Sequence, residues 1–332
     1  MPWLLFPTAP THRPDELYRV PTDDGAAISL GRYFPKSTVA YTHPVVLCHG
    51  LFTNRYAMDF DEHSSLARFL AGEGFETWVL ELRGRGVAGK LSQATFDEQA
   101  RYDVAAAIKT VTSTGPQEVL WVGHSKGALL AFAHAGLNPY VPLRAVVAIA
   151  SPVHFDAHPG VRRFVKAVKP LLHLDAIPLA AAAKVAAPFG LPRHALFEHA
   201  LNLDNVEGHA VRRALAHTVA DIQTGVARQF VRWVENDVFD ANDGFNYREG
   251  MRSLRAPVML LSGAADQLAP ASSVEAARKY LSHVVESRTL GRATGSAADY
   301  GHGDLLLGRH AARDVFTAVA AFLRRYTQPK AL

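Results

Sequence analysis

The sequence predicts an α/β fold in which helices cover both faces of a mostly parallel central sheet. Short, continuous apolar runs such as Pro44–Cys48 and Val119–Val122 are typical of strands buried on both faces of a parallel sheet. These runs alternate with helical patterns, which indicates consecutive βαβ units. The alternation stops once, between about Pro152 and Arg248. We therefore predict one α/β core formed by residues 1–151 and 249–332, with a helical insertion at residues 152–248.

The predicted elements follow in a regular order along the chain. A β-hairpin comes first, in which Leu17–Val20 and Ala27–Phe34 are joined by a turn at Thr22–Gly25. The later elements are the strand Pro44–Cys48, the helix Asp61–Gly72, the strand Thr77–Leu80, the helix Asp97–Thr112, the strand Val119–Val122, the helix Ala128–Ala135, the strands Ala145–Ala150 and Val258–Leu261, the helix Ser272–Leu281, the strand Ser287–Leu290 and the helix Asp304–Tyr326.

Composition excludes several classes of protein. The 332 residues are 48% hydrophobic and 20% charged, which is typical of a globular enzyme. The net charge is +4 and the Lys and Arg residues are scattered along the chain, which argues against a nucleic-acid partner. One cysteine, Cys48, excludes an internal disulfide, and the sequence has no HExxH pairing, so we predict no metal or other cofactor. The apolar start Met1–Pro7 lacks the features of a signal peptide, and no segment has the apolar length of a membrane span, so a cytoplasmic location is expected.

The sharpest motif is Gly123-His124-Ser125-Lys126-Gly127, between an apolar strand and a helical pattern. A serine on such a turn takes a strained backbone conformation, and the two glycines remove side chains that would collide there. Its hydroxyl projects above the carboxyl end of the strand, where ligands bind in open α/β sheets. Ser125 is therefore the predicted nucleophile; the alternative is an ordinary glycine-rich turn.

A serine hydroxyl needs a base to become a good nucleophile. His302, in the loop Gly301–Gly303, is the predicted base because the order Ser, acid, His places the base last. Asp266 is the predicted acid because it follows the strand Val258–Leu261 and so lies at the same sheet edge as Ser125. The competing residues are the other histidines of the chain's 16, and Asp240, Asp243 and Asp304.

Acyl transfer also requires N–H donors for the oxyanion. The predicted donors are the backbone N–H of Lys126, directly after the nucleophile, and that of Leu51, with Phe52 as the alternative to Leu51. Gly50 would let that second backbone segment approach the nucleophile closely.

Three nearby side chains are predicted to have no catalytic role. His49 is interpreted as a loop histidine hydrogen-bonded to backbone, with donation to substrate as the less favoured alternative. His124 is expected to pack beside the Ser125 turn, and the Lys126 side chain is expected to be solvated.

These segments together resemble the α/β-hydrolase superfamily. They stand in the family's order and cover most of the chain outside the insertion: Val45–Phe52, Leu80–Gly86, Gly123–Gly127, Gly263–Pro270 and Gly301–Gly303. The pairing of His49-Gly50-Leu51 with Trp78 and Arg83-Gly84 is similar to the lipase and esterase branches, including the acid-lipase-like group. Lys126 departs from that group, whose members more often carry a different polar residue there.

The resemblance implies a serine hydrolase that cleaves carboxylic esters without a cofactor, beneath a helical cap formed by residues 152–248. In that mechanism Ser125 attacks an acyl carbonyl while His302 takes its proton, and Asp266 orients the histidine. The amides of Leu51 and Lys126 hold the oxyanion, and water then hydrolyses the acyl-enzyme.

The apolar stretch Phe164–Leu191 bears on the substrate. Its helices would pack on the sheet edge, line an acyl pocket as a lid, or both, so we expect a small-molecule ester with an apolar part. A lipid-surface contact near Arg162–Lys169 is less favoured than a simple soluble esterase. Hydrolysis of an amide, thioester or carbon–carbon bond, and a hydrolase-like receptor with little turnover, stay open as alternatives. The oligomeric state is not predicted.

Overall fold

The computed structural model describes residues 13–61, 64–89, 93–155, 159–189 and 199–330. Its strands, numbered in chain order, are β1 Glu16–Pro21, β2 Ala27–Tyr33, β3 Val45–Cys48, β4 Thr77–Glu81, β5 Val119–His124, β6 Leu143–Ile149, β7 Ala176–Ile177, β8 Ile222–Gln223, β9 Val258–Gly263 and β10 Val284–Leu290.

Eight of the described strands form one sheet in the order β1-β2-β4-β3-β5-β6-β9-β10. The hairpin β1–β2 is antiparallel, and β2 also pairs antiparallel with β4. The remaining pairs of this sheet are parallel: β4–β3, β3–β5, β5–β6, β6–β9 and β9–β10. Every residue of β3, β4 and β5 is buried, as expected for strands covered on both faces. The predicted α/β fold with a mostly parallel sheet is therefore confirmed.

The helices pack against this sheet and continue its hydrophobic core, which includes the buried rings of Trp78 and Trp121. In chain order the α-helices of the described residues are α1 Leu66–Gly72, α2 Phe96–Glu98, α3 Val104–Thr112, α4 Lys126–Leu137, α5 Pro159–Val168, α6 Leu179–Ala186, α7 Gly208–His217, α8 Thr224–Asn236, α9 Tyr247–Gly250, α10 Ala271–Glu275, α11 Asp304–Leu307 and α12 Thr317–Arg324.

Helix boundaries differ from prediction where local contacts decide them. Helix α1 begins at Leu66 rather than Asp61, because the Ser65 hydroxyl accepts the N–H of Arg68 and caps the helix there. The predicted last helix is interrupted at Gly308, where a Cβ atom would come within 2.4 Å of the Asp304 carbonyl oxygen. The chain leaves the helical path at this glycine and resumes it before α12.

The region between residues 152 and 248, predicted above to be a helical insertion and called the insertion below, contains helices α5 to α8 and also a strand pair. Strand β7 pairs antiparallel with β8 over two residues each, so this region is not helical throughout, whereas the predicted helical insertion implied that it was. Around this pair lies a second apolar cluster whose buried members include Val165, Ile177, Ile222 and Val226. Residues 190–198, with the end of the predicted lid stretch, and the N-terminal Met1–Pro7 segment lie outside the described residues.

None of the helices in the described ranges has the length and apolar character needed to cross a membrane. Nor do these ranges contain a group of three or more His, Cys, Asp or Glu side chains that could hold a metal ion.

Candidate active site

Ser125 occupies the sharp turn between β5 and α4, with φ 52° and ψ −120°. Its N–H donates to the Ile149 carbonyl oxygen at 2.7 Å, which fixes the turn to the end of β6. A Cβ atom at Gly123 would come within 2.2 Å of the Ala128 nitrogen, and one at Gly127 within 2.1 Å of the Cys48 oxygen. The two glycines of the motif are thus required by contact, and the serine carries the strained conformation predicted for it.

His302 and Asp266 form a buried hydrogen bond at the same edge of the sheet. Nδ1 of His302 donates to Oδ2 of Asp266 at 2.8 Å, and both residues are at most 5% exposed. The other carboxylate oxygen of Asp266 accepts the backbone N–H groups of Leu268 and Ala269, each at 2.8 Å. The aspartate is therefore held from two sides, so that one oxygen faces the imidazole.

The competing acids are engaged elsewhere. Asp240 pairs with Arg232, and Asp243 pairs with Arg101. The competitor next to the histidine, Asp304, is buried, and burial raises the pKa of its carboxyl group. Its oxygens accept hydrogen bonds from the N–H of Asn202, the amide of Asn205 and the N–H of Gly301. Asp304 thus supports the loop that carries His302, while Asp266 contacts the ring.

His124 packs beside the Ser125 turn, as expected, and also contacts the candidate base. Its Nε2 donates to the backbone oxygen of His302 at 3.0 Å, and the two rings are 4.7 Å apart between centroids. Burial and, after it, the neighbouring His302 ring lower the pKa of His124 to about 3. A neutral His124 therefore holds the His302 loop without competing for its proton.

His49 is fully buried, and its Nδ1 donates to the Gly50 carbonyl oxygen at 2.9 Å. Its other ring nitrogen lies 3.6 Å from Oε1 of Glu81, and burial moves the pKa of His49 well below its ordinary value. The prediction of a histidine bonded to backbone is confirmed, and a ring enclosed in this way has no surface to offer a substrate.

Arg85 fastens the loop that contains Leu51. Its guanidinium donates to the carbonyl oxygens of Leu51 and Thr53 in that loop, and to that of Asp221 in the insertion at 2.6 Å. The backbone next to the candidate oxyanion donor is thus tied to the insertion by one side chain. No role could be predicted for Arg85, because its partners are backbone carbonyl groups, which every residue type carries.

The side chain of Lys126 is buried, so the expectation of a solvated lysine is wrong. Its Nζ donates to Oε1 of Gln99 at 2.7 Å, and Gln99 continues to the side chain of Gln223 in the insertion at 2.9 Å. Helix α4 is buried on all sides through its first ten residues, which leaves the lysine no path to solvent. The continuous apolar run Ala128–Ala133 was the signal in the sequence that could have revealed this burial.

Burial and, after it, the positive charge of Arg85 lower the pKa of Lys126 to about 7, although Cys48, Asp103 and Glu81 act in the opposite direction. An unfolded lysine keeps its proton up to about pH 10.4. Between these two values the unfolded chain binds more protons than the folded one, so this residue makes stability rise with pH across that window.

We expect Lys126→Met to remove this dependence. The melting temperature of the variant, relative to wild type, should fall by at least about 3 °C between pH 6.5 and pH 9, because only the wild type gains stability as its buried amine loses its proton. Thermal unfolding at both pH values measures the effect. Lys109→Met, at an exposed position on α3, is the control, and an equal response of the two variants would contradict the prediction.

Ser125 and His302 both line one apolar pocket of about 590 Å³, including its open mouth. Other lining side chains come from the Leu51 loop, the insertion and the loop after β9, and include Leu51, Phe52, Phe164, Phe230, Val231 and Leu268. The rings of Phe52 and Phe164 are 6.2 Å apart between centroids. A hydroxyl, an imidazole–carboxylate pair and an apolar cavity therefore meet at one place, an arrangement suited to acyl transfer on an apolar substrate.

Curated proteins resemble this chain in sequence over part of its length. The tear acid lipase-like protein of Mesocricetus auratus is 34% identical over 139 residues, which are 37% of this chain and 35% of that protein. The gastric triacylglycerol lipase of Homo sapiens is 32% identical over 147 residues, which are 40% of this chain and 37% of that protein. These alignments thus span little more than a third of the curated lipases.

The similarity of fold extends over nearly the whole chain. A thermophilic esterase from Thermogutta terrifontis superposes with a TM-score of 0.63 at 18% identity, covering 94% of this chain and 99% of that one. An esterase from Exiguobacterium antarcticum superposes with a TM-score of 0.61 at 14% identity, covering 92% and 98%. The family model described as alpha/beta hydrolase fold matches residues 43–308. This chain therefore belongs to the alpha/beta hydrolase fold family.

Proposed function

We propose that this protein is a serine hydrolase that cleaves carboxylic esters through an acyl-enzyme. The observation that carries the proposal is the 2.8 Å hydrogen bond from His302 to Asp266, together with a shared apolar pocket for His302 and the strained Ser125. A carboxylate on Nδ1 keeps the proton there and leaves Nε2 free to accept one, which is the form a general base needs.

The reaction follows from these positions. The Ser125 hydroxyl attacks the ester carbonyl while Nε2 of His302 takes its proton, and Asp266 stabilises the resulting imidazolium. The backbone N–H groups of Leu51 and Lys126 donate to the oxyanion, aided by the N-terminal end of α4. His302 then gives its proton to the leaving alcohol, and a water molecule activated by the same histidine releases the acid.

The comparisons support an ester as the substrate class. The curated relatives include a gastric triacylglycerol lipase and a lysosomal acid lipase/cholesteryl ester hydrolase, and the structural neighbours include esterases. The lining of the pocket by Phe52, Phe164, Phe230 and Val231 favours an apolar acyl group over a charged one.

The test combines a fluorophosphonate probe with p-nitrophenyl esters of increasing acyl length. We expect the probe to label the protein covalently and ester turnover to rise with acyl length until the pocket is full. Labelling without turnover of any ester would redirect the assignment to amide, thioester or carbon–carbon bond hydrolysis. Absence of both labelling and turnover would leave a binding protein and would overturn the proposal.

A further inference from the structure

A second apolar pocket also borders the candidate base. It encloses about 520 Å³, including its open mouth, and its lining includes His302, Gly303, His124 and Phe52. The remaining wall comes mainly from α7 and the segments around it, and includes Leu201, Val211, Ala214, Leu215, Val219 and Leu307. We call this space the α7 pocket, and the cavity that contains Ser125 the Ser125 pocket.

The α7 pocket offers carbon surface to a ligand. Four polar side chains belong to its wall. The Oγ1 atoms of Thr53 and Thr218 and the Nδ1 atom of His124 are buried, and the fourth polar side chain is the candidate base His302. The lining side chains of Val211, Ala214 and Leu215 are at most 7% exposed. A charged or strongly polar group would lose its hydration here without gaining hydrogen bonds.

The two pockets differ in which reacting groups they contain. Ser125 and Leu51 line the Ser125 pocket and are absent from the described lining of the α7 pocket, whereas His302 and Phe52 line both. In acyl transfer the acyl carbon bonds to the serine, and the leaving oxygen takes its proton from the histidine. We therefore place the acyl chain in the Ser125 pocket, which contains the serine, and the leaving alcohol in the α7 pocket, which contains the histidine without the serine.

We propose that the α7 pocket binds the alcohol portion of the substrate, so that the natural ester is apolar on both sides of its carbonyl. The inference rests on the function proposed above and narrows it to esters of long or bulky apolar alcohols. In the reaction, the bond between the acyl carbon and the alcohol oxygen breaks, His302 protonates that oxygen, and the alcohol leaves from the α7 pocket.

The contacts of the His302 loop support this division. The N–H of Gly303 donates to the Ala200 carbonyl oxygen at 2.7 Å, which joins the loop to the wall of the α7 pocket. Asp304 fastens the same loop to Asn202 at 3.0 Å and to Asn205 at 2.9 Å. The imidazole and the wall of the alcohol site are therefore positioned by one set of hydrogen bonds.

Four esters test the proposal: ethyl acetate, ethyl hexanoate, hexyl acetate and hexyl hexanoate. Each additional methylene placed in a fitted apolar pocket is worth a severalfold gain in kcat/KM. We expect hexyl acetate to exceed ethyl acetate in kcat/KM by at least about tenfold, and hexyl hexanoate to be the best substrate. Equal kcat/KM for hexyl and ethyl acetate, with ethyl hexanoate turned over well, would overturn the α7 pocket assignment alone.

Two matched variants locate the effect. Ala214→Phe fills the α7 pocket, and Val234→Phe fills the Ser125 pocket from α8. The readout is the kcat/KM of hexyl acetate divided by that of ethyl hexanoate. We expect Ala214→Phe to lower this ratio by at least about tenfold and Val234→Phe to raise it.

Val211→Phe, one turn away on α7, replaces Ala214→Phe if that variant does not fold. An unchanged ratio in a folded α7 variant, or a change of opposite sign, would overturn the assignment of the alcohol to this pocket. Failure of wild type to hydrolyse any of the four esters would instead remove the proposed function on which the inference rests.

Discussion

Replacing Ser125 by alanine is expected to lower kcat by roughly 10⁵- to 10⁶-fold while leaving the fold intact. The hydroxyl is the group that we propose to bond to the acyl carbon, and no other hydroxyl occupies the turn. Alanine keeps the Cβ atom, so the strain at φ 52° remains and the melting temperature should stay close to that of wild type. Ester hydrolysis and fluorophosphonate labelling measure the loss, and thermal unfolding measures the stability.

A glycine at the same position separates catalysis from strain. Ser125→Gly removes the hydroxyl and also the Cβ atom that makes a positive φ unfavourable, so it should be as inactive as the alanine variant but more stable. Ser262→Ala is the control, because Ser262 is a buried serine near the end of β9 whose hydroxyl contacts that of Thr289 in β10. This variant should keep kcat within about tenfold of wild type. Residual activity of Ser125→Ala above one part in a thousand would point to a different nucleophile.

The candidate nucleophile could be predicted because its signal is local. Five consecutive residues between a buried strand and an apolar helix determine the turn. The glycines at positions 123 and 127 also indicate that neighbouring backbone passes too close for a side chain, as the structure shows. The position of Asp266 near Ser125 could be predicted because Asp266 comes just after β9, and parallel strands end at the same edge of a sheet. The hydrogen bond between Asp266 and His302 follows from that placement.

The environment of Lys126 depends on contacts that a local pattern does not contain. Its partner Gln99 lies on a different helical segment, and Gln99 in turn contacts Gln223 in the insertion. A single lysine beside a glycine is typical of a solvated turn, and only the packing of α4 makes it buried.

The strand pair in the insertion escaped prediction for a different reason. β7 and β8 contribute two residues each and are far apart in the sequence, so neither is long enough to show an alternating pattern. The α7 pocket was equally hidden, because its wall combines residues near Phe52, Val211 and Leu307 that only the folded chain brings together.

Asp266→Asn is expected to lower kcat by about 10⁴-fold with little change in structure. One carboxylate oxygen accepts two backbone N–H groups, from Leu268 and Ala269, and the other faces Nδ1 of His302. In an asparagine the amide oxygen must take the place that accepts the two N–H groups, because an NH₂ group cannot accept them. The NH₂ group then points at Nδ1, which can pair with it only by losing its own proton.

This reversal places the imidazole proton on Nε2, so His302 can no longer accept the proton of Ser125. Asp304→Asn provides the matched control, since Asp304 is also buried and lies two residues from the base, but contacts Asn202, Asn205 and Gly301 instead of the ring. Asp304→Asn should lower the melting temperature and reduce kcat by less than about tenfold. If the two asparagine variants lost activity equally at matched stability, Asp266 would be a support of the loop rather than the residue that sets the tautomer of the histidine.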